Sequence, residues 1–432
     1  MPYYYQVMCF WTLALLLGVS ALWAADDPRL ALALRAQTDF DRVEASSAPP
    51  LGESQQCVQS EAALLAAAPP EEVPLAHYRK GYCTLAGALI TRDAGEFAQA
   101  GRELDQSLES WAARPRSAAK NALPETPSAG LRVLASIARL KAGPDQSGID
   151  HERVMLAQAL EDSSCRAGVM PPNFCREVLE DGRRWLGWIA FERDNLPEAA
   201  KDFSGPGAEG WNAWVAGLAA AQRNQYADSA AEYRKALDLW TAKPSQPLSL
   251  AERLNPQPDL AHDYEDLGGA QILASDPVAA IASLDEAVKL NPLNAHAIYL
   301  RGRAKEMAGR SEEALADYSL ASRTAFANAT DLASGEAHLY RGILLYRRQD
   351  YARAEDEFSS ALNFDIPAAL RADAVAWRHL AAVAGGACGS GANLDSAMIA
   401  ASPYFPRNEA RAAMNSCAAA LTAAGAKQNA AQ

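Results

Sequence analysis

The sequence predicts an all-α chain built as a solenoid of stacked helical repeats, and three observations carry that prediction. In the middle of the chain Gly268 and Gly302, Ala280 and Ala314, Leu284 and Tyr318, and Ala287 and Ala321 recur at an interval of 34 residues, a period characteristic of repeat architectures. The recurring residues are small ones, which let helix backbones approach, together with one large side chain that fills the remaining space. Hydrophobic content is 49% and comes largely from alanine, the strongest helix former. At 432 residues the chain exceeds the size at which a single compact core stops growing, a limit that nearest-neighbour stacking avoids.

Taken in order, residues 1–25 carry no charged side chain, and the nearly continuous apolar run from Val7 to Trp23 ends in Ala24 and Ala25 before Asp26 and Asp27. This reads as an export signal, with an uncleaved anchor as the alternative. The n-region lacks Lys and Arg, and Leu22 would stand third before a cut after Ala24, both departures from the usual leader. Pro28 to Val43 predicts a helix and Ser46 to Ser54, with Pro49 and Pro50, a loop. Leu75 to Thr91 reads as a helix leading into Gly95, Phe97, Ala100 and Leu104. Leu131 to Lys141 and Ile149 to Leu160 read as two more helices without repeat marks.

From there the marks strengthen. Trp185, Gly187, Ala199 and Phe203 form one unit, and Gly217, Ser229, Tyr233 and Ala236 the next. A proline-rich stretch, Lys243 to Asp259, then reads as a surface excursion. The unit from Ala261 supplies Tyr264, Leu267, Gly268, Ala280, Leu284, Ala287 and Pro292. The one from Ala295 supplies Ile298, Gly302, Gly309, Ala314, Tyr318 and Ala321, with Arg301 in the place of the leucine and Phe326 in that of the proline. A unit from Gly335 carries His338, Gly342, Tyr351, Ala354, Phe358 and Ala361 after six extra residues around Ser322 to Ser334, a lengthened second helix or loop. Ala369 to Val383 and Arg407 to Ala424 read as closing helices, with the Gly/Ser-rich segment Gly385 to Asn393 starting their connection. The expected organisation is therefore a leader (1–25), degenerate helical repeats (26–180), well-marked repeats with an insertion at 243–259 (181–367) and closing helices (368–432).

The period and these residues resemble the tetratricopeptide repeat, a helix–turn–helix unit of about 34 residues. The resemblance implies a right-handed superhelical solenoid whose concave groove, lined by the second, fifth, ninth, twelfth and thirteenth residues of each unit, holds a protein or peptide partner. Those positions map to His262, Glu265 and Ile272, then to His296, Tyr299, Arg303 and Glu306, and then to Glu336, Tyr346 and Arg347. Upstream, Trp188, Phe191, Trp211, Trp214 and Leu218 would continue the same wall. Those upstream aromatics suit either an interface anchor or, the preferred reading, packing between irregular helices. The family's carboxylate clamp, stacked basic and Asn residues for a peptide C-terminus, is not evident, so recognition of chaperone tails is not expected.

No strong catalytic signature is present: there is no GxSxG, HExxH, GxxxxGK[ST] or paired CxxC, and no enzyme activity, cofactor or metal is expected. The run from Gly386 to Gly391 exposes Cys388 and Ser390 without an identified base. His262 and His296 share a repeat position but lack a third ligand. Asn328, Ala329 and Thr330 fit a glycosylation acceptor. The alternative of an enzyme would place its site in the irregular region before Gly187. A formal charge of −13, with 40 basic residues scattered among 53 acidic ones, argues against nucleic acid as a partner. Removing the leader with Cys9 leaves Cys57, Cys83, Cys165, Cys175, Cys388 and Cys417. An even count after export suggests disulfides, which proximity along the chain would pair as Cys57–Cys83, Cys165–Cys175 and Cys388–Cys417. Together these readings describe an exported scaffold, periplasmic or secreted, that binds a protein or peptide in a cell-envelope assembly and meets a membrane only if the leader is retained.

Overall fold

The computed structural model describes residues 28–46, 48–113, 129–161, 165, 170–203, 207–242, 250–328, 331–403 and 405–430. The leader, and Ala329 and Thr330 of the acceptor triplet, lie outside the described residues. Among the described residues the regular structure is helical, with no strand. The chain divides into two compact units, residues 1–215 with 242–257 and residues 216–241 with 258–432.

The first unit holds α1 (Pro28–Glu44), α2 (Leu51–Leu65), α3 (Val73–Thr91), α4 (Ala94–Ala113), α5 (Ala129–Lys141), α6 (Gln146–Glu161), α7 (Pro172–Glu192), α8 (Leu196–Asp202) and the start of α9 (Glu209–Gln222). Its core gathers Tyr78, Leu85, Leu104, Trp111, Leu134 and Ile137, all essentially without exposure. Disulfides Cys57–Cys83 and Cys165–Cys175 close two local loops as chain proximity suggests. The expected loop from Ser46 to Ser54 is shorter than predicted: Pro50, unable to donate a backbone hydrogen bond, stands just before the first turn of α2, and helix begins at Leu51. The proline-rich stretch after residue 242 is not a mere surface excursion either. It contains a short helix, α11 (Leu250–Leu254), whose Leu250 and Leu254 are buried in the first unit's core. Trp185 Nε1 donates to the Leu254 carbonyl at 2.9 Å and Arg184 to Asn255 Oδ1 at 2.8 Å, fixing it there.

The second unit takes the end of α9, then α10 (Tyr226–Thr241), α12 (Leu260–Leu273), α13 (Pro277–Leu290), α14 (Ala295–Met307), α15 (Ser311–Asn328), α16 (Asp331–Arg347), α17 (Tyr351–Ala361), α18 (Ala368–Ala384), a 3₁₀ turn (Cys388–Ser390), α19 (Gly391–Ala400) and α20 (Arg407–Ala430). α19 was not expected, since its Gly and Ser content reads as a turn; Leu394 and Met398 are buried along it. The extra residues after Ser322 lengthen the second helix of their pair, α15, to Asn328. Disulfide Cys388–Cys417 ties the 3₁₀ turn to α20 and takes the Cys388 thiol out of any nucleophilic role.

Each marked pair is built the same way. In α7/α8, α9/α10, α12/α13, α14/α15 and α16/α17 the turn carries one residue with positive φ, respectively Asp194, Asn224, Ser275, Gly309 and Gln349. The next backbone N–H reaches back into the last turn of the first helix, as Asp276 does to the Gln271 carbonyl at 2.9 Å and Arg310 to that of Lys305 at 2.8 Å. This is the Schellman ending of a helix. Where the following residue is Asn195, Asp276 or Asp350, its side chain also caps the second helix. The turn sets a fixed contact between the two helices. A glycine in the first helix faces a large side chain sixteen residues later: Gly187 and Phe203, Gly217 and Tyr233, Gly268 and Leu284, Gly302 and Tyr318, Gly342 and Phe358. A Cβ on Gly302 would stand 2.7 Å from the Tyr318 ring, so the close approach requires glycine. Arg301, in the place of leucine, survives because Asp317 and Asp285 receive its guanidinium at 2.8–3.0 Å.

Candidate partner-binding groove

Five of the mapped positions come together in the second unit, Ile272 among them. Glu265 on α12 and His296, Tyr299 and Arg303 on α14 line a groove of about 390 Å³, which Tyr226 and Tyr233 of α10 wall on another side. The first-helix faces bring them there, because residues four apart stand one above the other on a helix. Leu273, 59% exposed, opens the apolar part of the groove to solvent.

The polar network is directional. Glu265 is buried, and both its oxygens are used: His296 Nδ1 lies 2.6 Å from one, and the Asn294 side-chain amide donates to the other at 2.5 Å. Burial opposes the Glu265 charge, but the hydrogen bond and charge of His296 outweigh it and hold the carboxyl below its ordinary range. Burial likewise works against the imidazolium of His296, while Glu265, then Glu336 and Asp266, raise its pKa. Asn294 has a second duty as the N-cap of α14, accepting from the Ala297 N–H at 3.0 Å. Cap and carboxylate therefore fix each other across two repeats.

Arg303 is held by rings. Its guanidinium lies 3.8 Å from the centroid of Tyr340 on α16, and the surrounding tyrosines raise its pKa against the effect of burial. Tyr299 is itself buried, packed at 5.7–6.1 Å from Tyr318 and Tyr340. Glu336 on α16 is half-buried with one carboxylate oxygen unpaired; burial raises its pKa, although His296 and Arg303 pull it down.

The remaining candidates stand elsewhere. His262 is exposed, its Nε2 3.8 Å from Asp266 on the same helix. Glu306 accepts from the Tyr318 hydroxyl at 2.8 Å and from Arg347 at 2.7 Å, so this acidic and basic pair neutralise each other. Tyr346 is buried edge-on to Trp377. In the first unit Trp211 stacks on Phe203 at 5.2 Å, Trp214 meets Phe191 edge-on at 4.4 Å and Trp188 meets Trp185 at 5.4 Å, so these rings are engaged in packing. Among the described residues no group of three or more His, Cys, Asp or Glu is arranged to hold a metal ion.

The repeat positions usually assigned to a groove did not point to Asp266, Tyr340, Asn294, Tyr226 and Tyr233. Asp266 and Tyr340 share the sixth position of their units, one residue beyond the fifth. Tyr233 was expected only to fill space between helices, and Asn294 carried its signal as a capping residue preceding Ala295.

No family model matches the chain and no curated protein matches it. Solved structures do resemble it at a distance. Yeast Tom70 is 12% identical over 90% of this chain and 89% of its own, with a TM-score of 0.39. A tetratricopeptide repeat protein from Parabacteroides merdae is 13% identical, with coverage of 67% and 93% and a TM-score of 0.34. The human IFIT1 dimer with PPP-AAAA is 11% identical, with coverage of 92% and 87% and a TM-score of 0.34. At these identities the likeness concerns helical architecture alone.

Proposed function

We propose that this chain, a tetratricopeptide-like helical repeat protein, is a scaffold that holds a protein or peptide partner in the groove between α10, α12 and α14. It acts by binding and assembly, without turnover. The observation that carries the reading is the convergence of Glu265, His296, Tyr299 and Arg303, from two successive first helices, on one groove opened by an exposed leucine. An interface wants this combination of apolar wall, aromatic rings and a few fixed polar groups. The net charge of −13 favours a protein over a nucleic acid as the occupant.

The working compartment in this reading is an oxidising one, the periplasm or the exterior, within a cell-envelope assembly. Three disulfides support it, since such bonds persist outside the reducing cytosol, as does the leader-like composition of residues 1–25. No described helix is long and apolar enough to cross a membrane, so an anchored form would depend on that leader. A photo-crosslinking amino acid placed at Leu273, inside the groove, and separately at Val278, exposed on α13, tests the reading in the native envelope. The expected outcome is a discrete crosslinked partner from Leu273 and none from Val278. Crosslinks from Val278 alone would move the contact to another face.

A further inference from the structure

The ionisable groups around the groove differ in how firmly neighbouring side chains hold them. Both Glu265 oxygens are taken by His296 and Asn294. Arg303 is stacked on Tyr340, a ring contact that holds the guanidinium without cancelling its charge. Asp266, which lines the same groove, is different. It accepts no hydrogen bond from the described residues, and the Nε2 of the exposed His262 lies 3.8 Å away. The Tyr226 and Tyr233 rings and the aliphatic Ile272 and Leu273 line the same groove.

We propose that the partner inserts a lysine or arginine side chain into this groove, its charged head on the Asp266 carboxylate and its methylene stem along Ile272 and Leu273; the proposal rests on the groove being the binding site. A basic side chain suits such a site because its stem buries against apolar surface while its head seeks an anion. Tyrosine faces add attraction for the same cation. A hydrogen bond between two charged groups is about twice as strong as a neutral one. An acidic side chain would meet two carboxylates in the same groove, Glu265 and Asp266, against the single guanidinium of Arg303. The overall charge of −13 draws a cationic segment toward the chain and repels an anionic one.

The test passes the full chain over immobilised short peptides, acetylated and amidated, whose apolar flanks are held constant while the centre is arginine, lysine, norleucine or glutamate. Retention on the basic centres should exceed that on norleucine by about tenfold. Asp266→Asn should bring the basic peptides down to the norleucine level, and Asp266→Glu should restore them, with circular dichroism establishing that both variants are folded. Equal retention on lysine and norleucine would overturn the proposal and leave the groove reading standing on its apolar wall. A basic preference that survives in Asp266→Asn, or a preference for glutamate, would also overturn it. Retention of no peptide at all would remove the groove reading along with it.

Discussion

Gly268 and Gly269 are adjacent in α12, yet a methyl group on each meets very different surroundings. A Cβ on Gly268 would stand 2.4 Å from Leu284 Cγ, 2.8 Å from its Cδ2 and 3.0 Å from its Cδ1; one on Gly269 would meet only Leu300 Cδ1, at 3.9 Å. The first contact is about 1 Å shorter than the 3.4 Å at which ordinary packing begins. Leu284 has nowhere to retreat, being fully buried among Ala280, Ile281, Ala287 and Ala297. Both substitutions to alanine gain the same helix propensity, about 1 kcal/mol. Only Gly268→Ala adds overpacking, about 1–3 kcal/mol. Gly269→Ala should therefore stabilise slightly and Gly268→Ala lower stability by up to about 2 kcal/mol, with a difference between them of roughly 1–3 kcal/mol. Hydrogen exchange of the α12 and α13 amides, read by mass spectrometry, reports the local opening free energy. Equal shifts for the two variants would mean that the glycine-to-leucine contact does not set the spacing of the pair.

Asp263 is 4% exposed with Oδ2 unpaired, and burial, reinforced by the charges of Asp266 and Asp259, pushes its carboxyl up to about 8. The folded value lies above the ordinary 3.8, so the native state holds the proton longer. Stability from this group is full below about pH 4 and falls toward pH 8, by at most about 1.4 kcal/mol per pH unit. Asp263→Asn should flatten that slope in calorimetric unfolding; an unchanged pH profile would exclude Asp263 as its source. Replacing Cys57 and Cys83 together by serine opens a loop with a separation of 26 residues and should lower the stability of the first unit by about 3 kcal/mol. Urea unfolding followed at α2 and α3 by hydrogen exchange checks this, and a midpoint matching the parent would contradict it.

The repeats were readable in the sequence wherever one side chain performs one task at a fixed spacing. Gly302 and Tyr318 exist to meet each other, and their spacing announces the pair before any coordinates. The same logic failed for α11 and α19. Leu250 and Leu254 are buried by α7 and α3 of the first unit, a tertiary circumstance that the surrounding prolines conceal. The Gly and Ser content of α19 indicates a turn, whereas Leu394 and Met398 acquire their helical role only through burial. At the groove, the resemblance found Glu265, His296, Tyr299 and Arg303 because regular first helices present the same positions to the same side. It missed Asp266 because neighbouring residues on a helix can border the same groove when the wall is broad, and a fixed position list has no width.

The sixteen-residue contact within each pair also decides where the chain can change length. Between the facing residues lie the end of the first helix, a three-residue hydrogen-bonded turn and the beginning of the second, and any added residue would rotate a ring away from its glycine. The joint between the second helix of one pair and the first of the next is not set by a glycine-to-large-side-chain contact of this kind. Both irregularities among the marked repeats fall at that kind of joint: the segment carrying α11 follows α10, and the extended end of α15 precedes α16. The chain is thus punctuated, with rigid words and elastic spaces. Inserting a tag or a reporter at such a space, for instance after Leu290 where Asn291 to Asn294 link α13 to α14, should leave both flanking pairs intact, while the same insertion after Ser275 should dismantle the one it enters.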